Sequence, residues 1–164
     1  MQRRQLIQTL AAAPLMTALP FACAETIPRL KKSDDEWKVL LPRNRYLVLF
    51  EEATEPSFTS PLNDEKRDGT YVCAACFQPL FTSDQKYDSG TGWPSFTHHL
   101  KGVMGTKTDY KLIVPRTEYH CARCGGHQGH VFSDGPRPRG ERWCNNGLAL
   151  LFYPDGTPLP ELRT

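Results

Sequence analysis

The stretches Cys73-Ala74-Ala75-Cys76 and Cys121-Ala122-Arg123-Cys124 decide the fold of this chain. Each is a Cys-x-x-Cys pair, and both lie in one small domain. A tetrahedral metal ion needs four soft donors that converge on one point, and each pair supplies two thiolates from one tight turn. The pattern therefore predicts one structural zinc ion bound by Cys73, Cys76, Cys121 and Cys124.

Three other interpretations of the two pairs remain open. In an oxidising compartment, the four cysteines would form two disulfides. His127 or His130 would be a metal ligand, because Cys124-x-x-His127-x-x-His130 also has ligand-like spacing. One pair would be redox-active, but the other pair would then need a separate explanation.

Length and composition indicate a single globular domain. The chain has 164 residues, of which 39% are hydrophobic and 23% are charged, enough for one modest core. The net charge of +2 is small and the basic residues are scattered, which argues against nucleic acid as a partner. The 14 prolines and 12 glycines predict many turns and short strands.

The N-terminal segment 1–24 has the features of an export signal. A basic head is followed by a mostly apolar stretch, residues 6–19, and then by Ala22-Cys23-Ala24, which has the small-x-small form of a cleavage site. Arg3-Arg4 resembles a twin-arginine signal. We expect export to the periplasm with no stable membrane insertion after the signal is removed, and a cytoplasmic protein if it is not cleaved. A lipoprotein with Cys23 at its N-terminus and an unstructured tail are the alternatives.

Segments of secondary structure follow from local patterns. Ser33 and Glu36 have capping-box spacing, which predicts a helix that starts at Ser33 and is limited by Pro42. Residues 46–50 fit a helix or a strand. The predicted strands are 70–73, 78–81, 112–114, 118–121, 130–132 and 148–153. The expected architecture is mainly β: a short helical N-terminal segment packs on a domain of antiparallel strands. We predict a linker at 25–36, one domain at 37–155 and a C-terminal tail at 156–164.

Cys144 is the candidate nucleophile. If residues 142–146 form a strand, the side chains of Arg142, Cys144 and Asn146 share one face. A nearby guanidinium favours the thiolate, which is the reactive form of cysteine. The competing interpretation of Cys144 is a buried, inert thiol.

Two glycine-rich segments add candidate site residues. His127 and His130 lie in one tight loop beside a metal anchor, which is typical of a rigidly held acid/base pair; taken singly, each would be a structural histidine. Trp93, in Gly90-Thr91-Gly92-Trp93-Pro94-Ser95-Phe96, is either a core aromatic or an apolar wall for a ligand.

These segments together resemble the methionine sulfoxide reductase B family, from about Trp37 to Phe152. The landmarks are the two cysteine pairs, 87–96, 116–118, 127–132, 134–136 and 142–146. The resemblance implies a fold of two antiparallel sheets with a zinc knuckle at one side, so that 37–155 would be a single domain of this type. It implies thiol-dependent reduction of methionine-R-sulfoxide, free or in oxidised proteins.

The resemblance also assigns roles to residues. Cys144 would attack the sulfoxide sulfur and become a sulfenic acid. His127, His130 and Asn146 would line the oxygen side, Arg142 and Asp134 would orient and polarise the site, and the zinc would stay remote. Trp93 would pack on the substrate methyl group, with Phe96 as a second substrate contact.

Some positions depart from the pattern common in that family. Asn145 stands where an apolar residue is usual, and Gln128 replaces a common leucine. Thr91 occupies the place of the resolving cysteine of many members, so Cys144 has no obvious internal partner. We therefore expect a thioredoxin-like protein or a small thiol to reduce Cys144 directly.

A second hypothesis belongs to another class. The two cysteine pairs alone also fit a non-catalytic zinc-ribbon module that binds a protein or nucleic acid. The small net charge and the residues Arg142, Cys144 and Asn146 favour the enzyme. Substitution of Cys144 by serine distinguishes the two hypotheses.

Overall fold

The computed structural model describes residues 27–164. The predicted export signal and Cys23 lie outside this range. The described elements, in chain order, are α1 (Asp34–Leu40), α2 (Arg43–Phe50), β1 (Gly69–Cys73), β2 (Pro79–Thr82), β3 (Lys86–Tyr87), β4 (Ser95–Phe96), β5 (Met104–Asp109), β6 (Arg116–Cys121), β7 (His127–Phe132), β8 (Arg142–Asn145) and β9 (Leu150–Pro154), with 3₁₀ turns at Pro61–Asn63, Ser83–Gln85 and Gly147–Ala149.

The capping box predicted for the first helix is confirmed. The Ser33 backbone N–H donates to the Glu36 carboxylate at 2.8 Å, and the Glu36 N–H donates back to Ser33 Oγ at 3.4 Å. The segment 46–50 lies in α2 and is helical. Trp37 of α1 stacks on Phe50 of α2, with ring centroids 4.9 Å apart. This aromatic pair fixes the two helices to each other and contributes to the core.

The strands form two antiparallel sheets, as the resemblance implied. The smaller sheet has the order β2-β1-β9, and the larger has the order β3-β4-β8-β7-β6-β5. Because the central strands β8, β7 and β6 are paired residue by residue, side chains from distant parts of the sequence meet on one face. Among residues 27–164, no helix has the length and apolar composition needed to cross a bilayer.

One predicted strand is wrong and its true counterpart was missed. Leu112, Ile113 and Val114 are 56%, 103% and 71% exposed and form the loop between β5 and β6. The strand that pairs with β6 is instead β5, which has a mostly polar sequence. The two strands pair in register from Met104↔Cys121 to Asp109↔Arg116. An edge strand has one open side and needs less apolar character, so its sequence gives a weak signal.

The segments that flank the predicted domain 37–155 also pack against it. α1 begins at Asp34, inside the range 25–36, and Leu30 N–H donates to the Arg123 carbonyl at 2.7 Å. In the range 156–164, the Arg163 N–H donates to the Cys76 carbonyl at 3.1 Å, and its guanidinium lies 4.6 Å from the centre of the Phe77 ring. Both chain segments therefore make contacts close to the cysteine cluster.

Candidate active site and metal centre

The four paired cysteines converge on one point. Their sulfur atoms all lie within 4.8 Å of one another, with Sγ–Sγ distances of 3.6 Å for Cys73 to Cys124 and for Cys76 to Cys121. A tetrahedral zinc ion with Zn–S bonds of ~2.3 Å separates its sulfurs by ~3.8 Å, so the cluster fits that ion. Disulfide bonds of ~2.05 Å do not fit these distances, and neither histidine belongs to the cluster.

The register of the larger sheet builds a polar row across one of its faces. Glu118 of β6 is the Cα partner of His130 in β7, which pairs with Cys144 in β8, which pairs with Ser95 in β4. Since side chains alternate along a strand, Val131 and Trp143 point to the opposite face. The sheet therefore brings the predicted nucleophile and one predicted histidine side by side.

Cys144 lines a small cavity of about 100 Å³. The lining residues are Thr54, Trp93, Arg116, His130, Phe132, Cys144, Asn145 and Asn146. Burial raises the pKa of the Cys144 thiol above its ordinary value, and the charge of Arg142 and a hydrogen bond from Thr91 oppose that shift without cancelling it. The guanidinium predicted to favour the thiolate acts in the expected direction, but burial outweighs it. The resting protein therefore holds Cys144 as a thiol at neutral pH.

A chain of hydroxyl groups leads to the nucleophile from the Trp93 segment. Ser89 Oγ lies 2.8 Å from both Thr91 Oγ1 and Ser95 Oγ, and Ser95 Oγ donates to the Trp93 carbonyl at 3.1 Å. Thr91 is thus held by Ser89, and its hydroxyl is one of the groups that oppose the rise in the pKa of Cys144.

His130 is held by a carboxylate that the sequence patterns did not reveal. Asp109 Oδ2 accepts a hydrogen bond from His130 Nε2 at 2.8 Å and from the Arg116 guanidinium at 2.6 Å. The Lys111 backbone N–H donates to Oδ1 of Asp109 at 2.8 Å. These three donors hold the pKa of Asp109 well below its ordinary value, with the Lys111 bond the largest cause. Asp109 is therefore an anion throughout the physiological pH range.

His127 faces a second carboxylate and is more deeply buried than His130. Its ring is 2% exposed, and its Nδ1 lies 3.0 Å from Glu118 Oε1, without the alignment of a hydrogen bond. The His127 and His130 rings are 5.4 Å apart. Burial lowers the pKa of both histidines, although Glu118 and Asp109 oppose it. Both imidazoles are therefore mainly neutral in the resting protein at neutral pH.

Arg142 and Asp134 form a bidentate ion pair. Nε of Arg142 donates to Oδ1 of Asp134 at 2.8 Å, and NH2 donates to Oδ2 at 2.9 Å. The Arg142 guanidinium lies 4.3 Å from the centre of the Phe132 ring. The pair fixes a positive charge beside Cys144, although Asp134 itself is largely exposed.

Asn146 and Trp93 are fixed by the backbone of neighbouring segments. The Glu55 N–H donates to Oδ1 of Asn146 at 3.1 Å, and Nδ2 of Asn146 donates to the Gln128 carbonyl at 3.1 Å. Nε1 of Trp93 donates to the Glu55 carbonyl, also at 3.1 Å. Both side chains line the Cys144 cavity, so Glu55 supports two walls of it at once.

Phe96 requires a correction. It is fully buried, stacks on Phe81 with centroids 4.0 Å apart and makes an edge contact with Tyr71. The alternation of β4 directs Ser95 to the cavity side and Phe96 to the core. Phe96 is thus a core residue between the sheets, not a substrate contact.

Asn145 and Gln128, the two polar departures, contact each other. Asn145 Nδ2 lies 3.4 Å from Gln128 Oε1, and Asn145 Oδ1 accepts from the Tyr119 hydroxyl at 2.8 Å. Gln128 Nε2 is 3.6 Å from Cys73 Sγ. The two replacements thus form one buried polar network that extends from the nucleophile strand to the cysteine cluster.

Comparison with known proteins agrees with this arrangement. The SelR domain family matches residues 41–154. The peptide methionine sulfoxide reductase MsrB of Leptospira interrogans is 49% identical over 124 residues, which are 75% of this chain and 95% of the relative. The protein of the same name from Agrobacterium fabrum is 46% identical over 130 residues, 79% of this chain and 96% of the relative. That from Methanosarcina barkeri is 46% identical over 124 residues, 75% of this chain and 87% of the relative.

Proposed function

The chain belongs to the SelR domain family of methionine sulfoxide reductases B, and we propose that it reduces methionine-R-sulfoxide, free or in oxidised proteins, to methionine. The observation that carries this proposal is the position of Cys144, in a small cavity beside His130 and Trp93. A thiol, an adjacent base and an apolar wall are the parts that attack on a sulfoxide sulfur requires. The alternative of a non-catalytic zinc-ribbon module draws no support from the family match.

The reaction transfers one oxygen atom to Cys144. The sulfoxide S–O bond breaks, an S–O bond to Cys144 forms, the substrate leaves as a thioether, and the cysteine is oxidised to a sulfenic acid. Because Cys144 rests as a thiol and the histidines as neutral imidazoles, a histidine accepts the thiol proton as the sulfur attacks. The same proton is then available for the developing negative charge on the sulfoxide oxygen.

The other side chains of the cavity position the substrate and the charges. Trp93 presents its ring to the substrate methyl group, and Asn146 lines the same cavity beside His130. His127 is buried behind His130, with ring centroids 5.4 Å apart, and does not line the cavity. The guanidinium of Arg142, held by Asp134, stabilises the thiolate at the moment of attack. The test is an assay of both sulfoxide epimers with dithiothreitol. We expect turnover of the R epimer alone, and equal turnover of both epimers would contradict the assignment.

We further propose that the cysteine cluster binds one structural zinc ion. The four thiolates would hold the turn after β1 against the turn after β6, and in doing so they would fix the start of β7, which carries His127 and His130. The ion would cross-link the two turns and would supply no chemistry to the reaction, because its four ligands would all be protein sulfurs. Metal analysis of the purified protein should give about one zinc per chain.

The sulfenic acid on Cys144 is proposed to be reduced by an external thiol. Among residues 27–164, the cysteines other than Cys144 all belong to the metal cluster, and Thr91 fills the neighbouring position. Two external thiols would regenerate the Cys144 thiol, with release of water and formation of a disulfide between them. A thioredoxin-like protein or a small thiol fits this role. Mass spectrometry after one turnover tests it, since an internal disulfide to Cys144 would contradict the proposal.

Export to the periplasm is proposed from residues 1–24 alone. The basic head, apolar stretch and small-x-small site support cleavage after Ala24. N-terminal sequencing of the protein from a periplasmic fraction tests this. An intact Met1 in a protein found only in the cytoplasm would contradict it.

A further inference from the structure

Asp109 is an anion built into the same face as the nucleophile. It ends strand β5, pairs with Arg116 in the register of the sheet, and is 7% exposed. Its two oxygens receive three hydrogen bonds, from Lys111 N–H, the Arg116 guanidinium and His130 Nε2. A carboxylate with this many fixed donors cannot rotate, so it directs the group that it binds.

The group that Asp109 directs is the imidazole of His130. Nε2 of His130 is bound to Asp109, so Nδ1 is the ring nitrogen that the carboxylate does not hold, and the residue lines the same cavity as Cys144. In a neutral imidazole only one nitrogen carries a proton. An anionic acceptor at Nε2 keeps that proton on Nε2 and leaves a lone pair on Nδ1. A ring nitrogen with a free lone pair, on the residue that pairs with Cys144 across the sheet, is what a base for the Cys144 thiol needs.

We propose that Asp109, clamped by Arg116, is the positioning residue that fixes His130 as the Nε2–H tautomer, so that Nδ1 takes the proton of the Cys144 thiol and passes it to the sulfoxide oxygen. This proposal rests on the function proposed above and adds the direction of proton transfer. The S–H bond of Cys144 breaks, an N–H bond forms at Nδ1, and the proton ends on the oxygen. Asp109 remains an anion throughout.

The charged and titratable groups around His130 come from each packed element. Asp109 lies on β5, Arg116 and Glu118 on β6, His127 on β7, and Cys144 on β8 with Arg142 two residues before it. Asp109 is the anion in direct hydrogen-bond contact with the ring, and Arg116 partly offsets its charge. Removal of the Asp109 charge should therefore make the imidazolium of His130 harder to form.

Asp109→Asn tests the proposal, because asparagine keeps an oxygen acceptor and loses the charge. Loss of an adjacent anion lowers a histidine pKa by ~1 unit. The imidazolium–thiolate pair would then be ~10-fold less populated, so kcat on the pH plateau should fall ~10-fold while KM stays within ~2-fold. The acid limb of the kcat profile should move ~1 pH unit lower. The matched control is Asp84→Asn, an exposed aspartate on another surface, which should behave as wild type.

Two outcomes would overturn the proposal. One is an Asp109→Asn protein with kcat within ~2-fold of wild type; the other is a reduced kcat with the acid limb unmoved, which indicates a purely structural role. If the variant does not fold, nitrogen NMR of the wild-type histidines decides, since neutral His130 must carry its proton on Nε2. A wild-type protein that reduces neither epimer would refute the proposed function instead, and the tautomer can still be measured.

Discussion

The buried contact between Asn145 and Gln128 gives a quantitative prediction. Asn145→Ile removes the acceptor of the Tyr119 hydroxyl, which is fully buried, and the donor to the Asn146 carbonyl at 2.8 Å. Each buried polar group left without a partner costs ~1–3 kcal/mol. The added apolar side chain recovers part of this by burial. We expect a net loss of ~2–4 kcal/mol in the free energy of unfolding.

The double variant Asn145→Ile/Gln128→Leu reveals whether the two residues act together. Gln128→Leu alone leaves Asn145 Nδ2 one acceptor short and should cost ~1–2 kcal/mol. The double variant loses the Asn145–Gln128 contact only once. Its loss in the free energy of unfolding should therefore be ~1–2 kcal/mol smaller than the sum of the losses of the two single variants. Urea denaturation with saturating zinc measures all four proteins. Additivity within ~0.5 kcal/mol would refute the coupled network.

Three further predictions test other parts of the site. Alkylation of Cys144 in the substrate-free protein should accelerate with pH to a midpoint above the ordinary thiol pKa of 9.0, and a midpoint below that value would contradict the burial argument. Phe96→Ala should destabilise the fold by ~3–5 kcal/mol and leave KM of the folded protein within ~2-fold; a large rise in KM with little loss of stability would restore Phe96 as a substrate contact. Thr91→Cys should form a disulfide with Cys144 after turnover, detected by mass spectrometry, and a free Cys144 sulfenic acid in that variant would show that the two side chains do not meet.

Local patterns predicted the parts of the molecule that depend on local chemistry. The capping box at Ser33 marked the start of α1 because its hydrogen bonds join residues three apart. The cysteine pairs predicted the metal cluster because each pair is formed by one turn. The alternation of Arg142 and Cys144 was also local and lies in β8, but that strand ends at Asn145, and Asn146 caps the 3₁₀ turn that follows.

Long-range pairing produced what the sequence did not reveal. Asp109 reaches His130 through two strand registers, β5 with β6 and β6 with β7. Three adjacent apolar residues predict a strand at 112–114. That prediction leaves Asp109 outside every strand, although it lies in β5. Glu55 lies in a loop distant in sequence from Asn146 and Trp93, and only the folded backbone joins them.

Phe96 shows that a shift of one residue along a strand moves a side chain from the cavity face of the sheet to the core face. The resemblance to the family implied that both Trp93 and Phe96 contact the substrate. β4 is two residues long and pairs with both β3 and β8, so neighbouring side chains point to opposite faces. The face of each residue depends on the register, which the motif alone does not specify.

The most direct test is a single turnover with one equivalent of methionine-R-sulfoxide and no reductant. Peptide mass spectrometry should then find one added oxygen, about 16 Da, on Cys144 as a trapped sulfenic acid, together with an equivalent of methionine. Cys144→Ser, with its zinc and fold retained, should release none. Methionine formation by the serine variant, or oxygen on another residue in place of Cys144, would contradict the account.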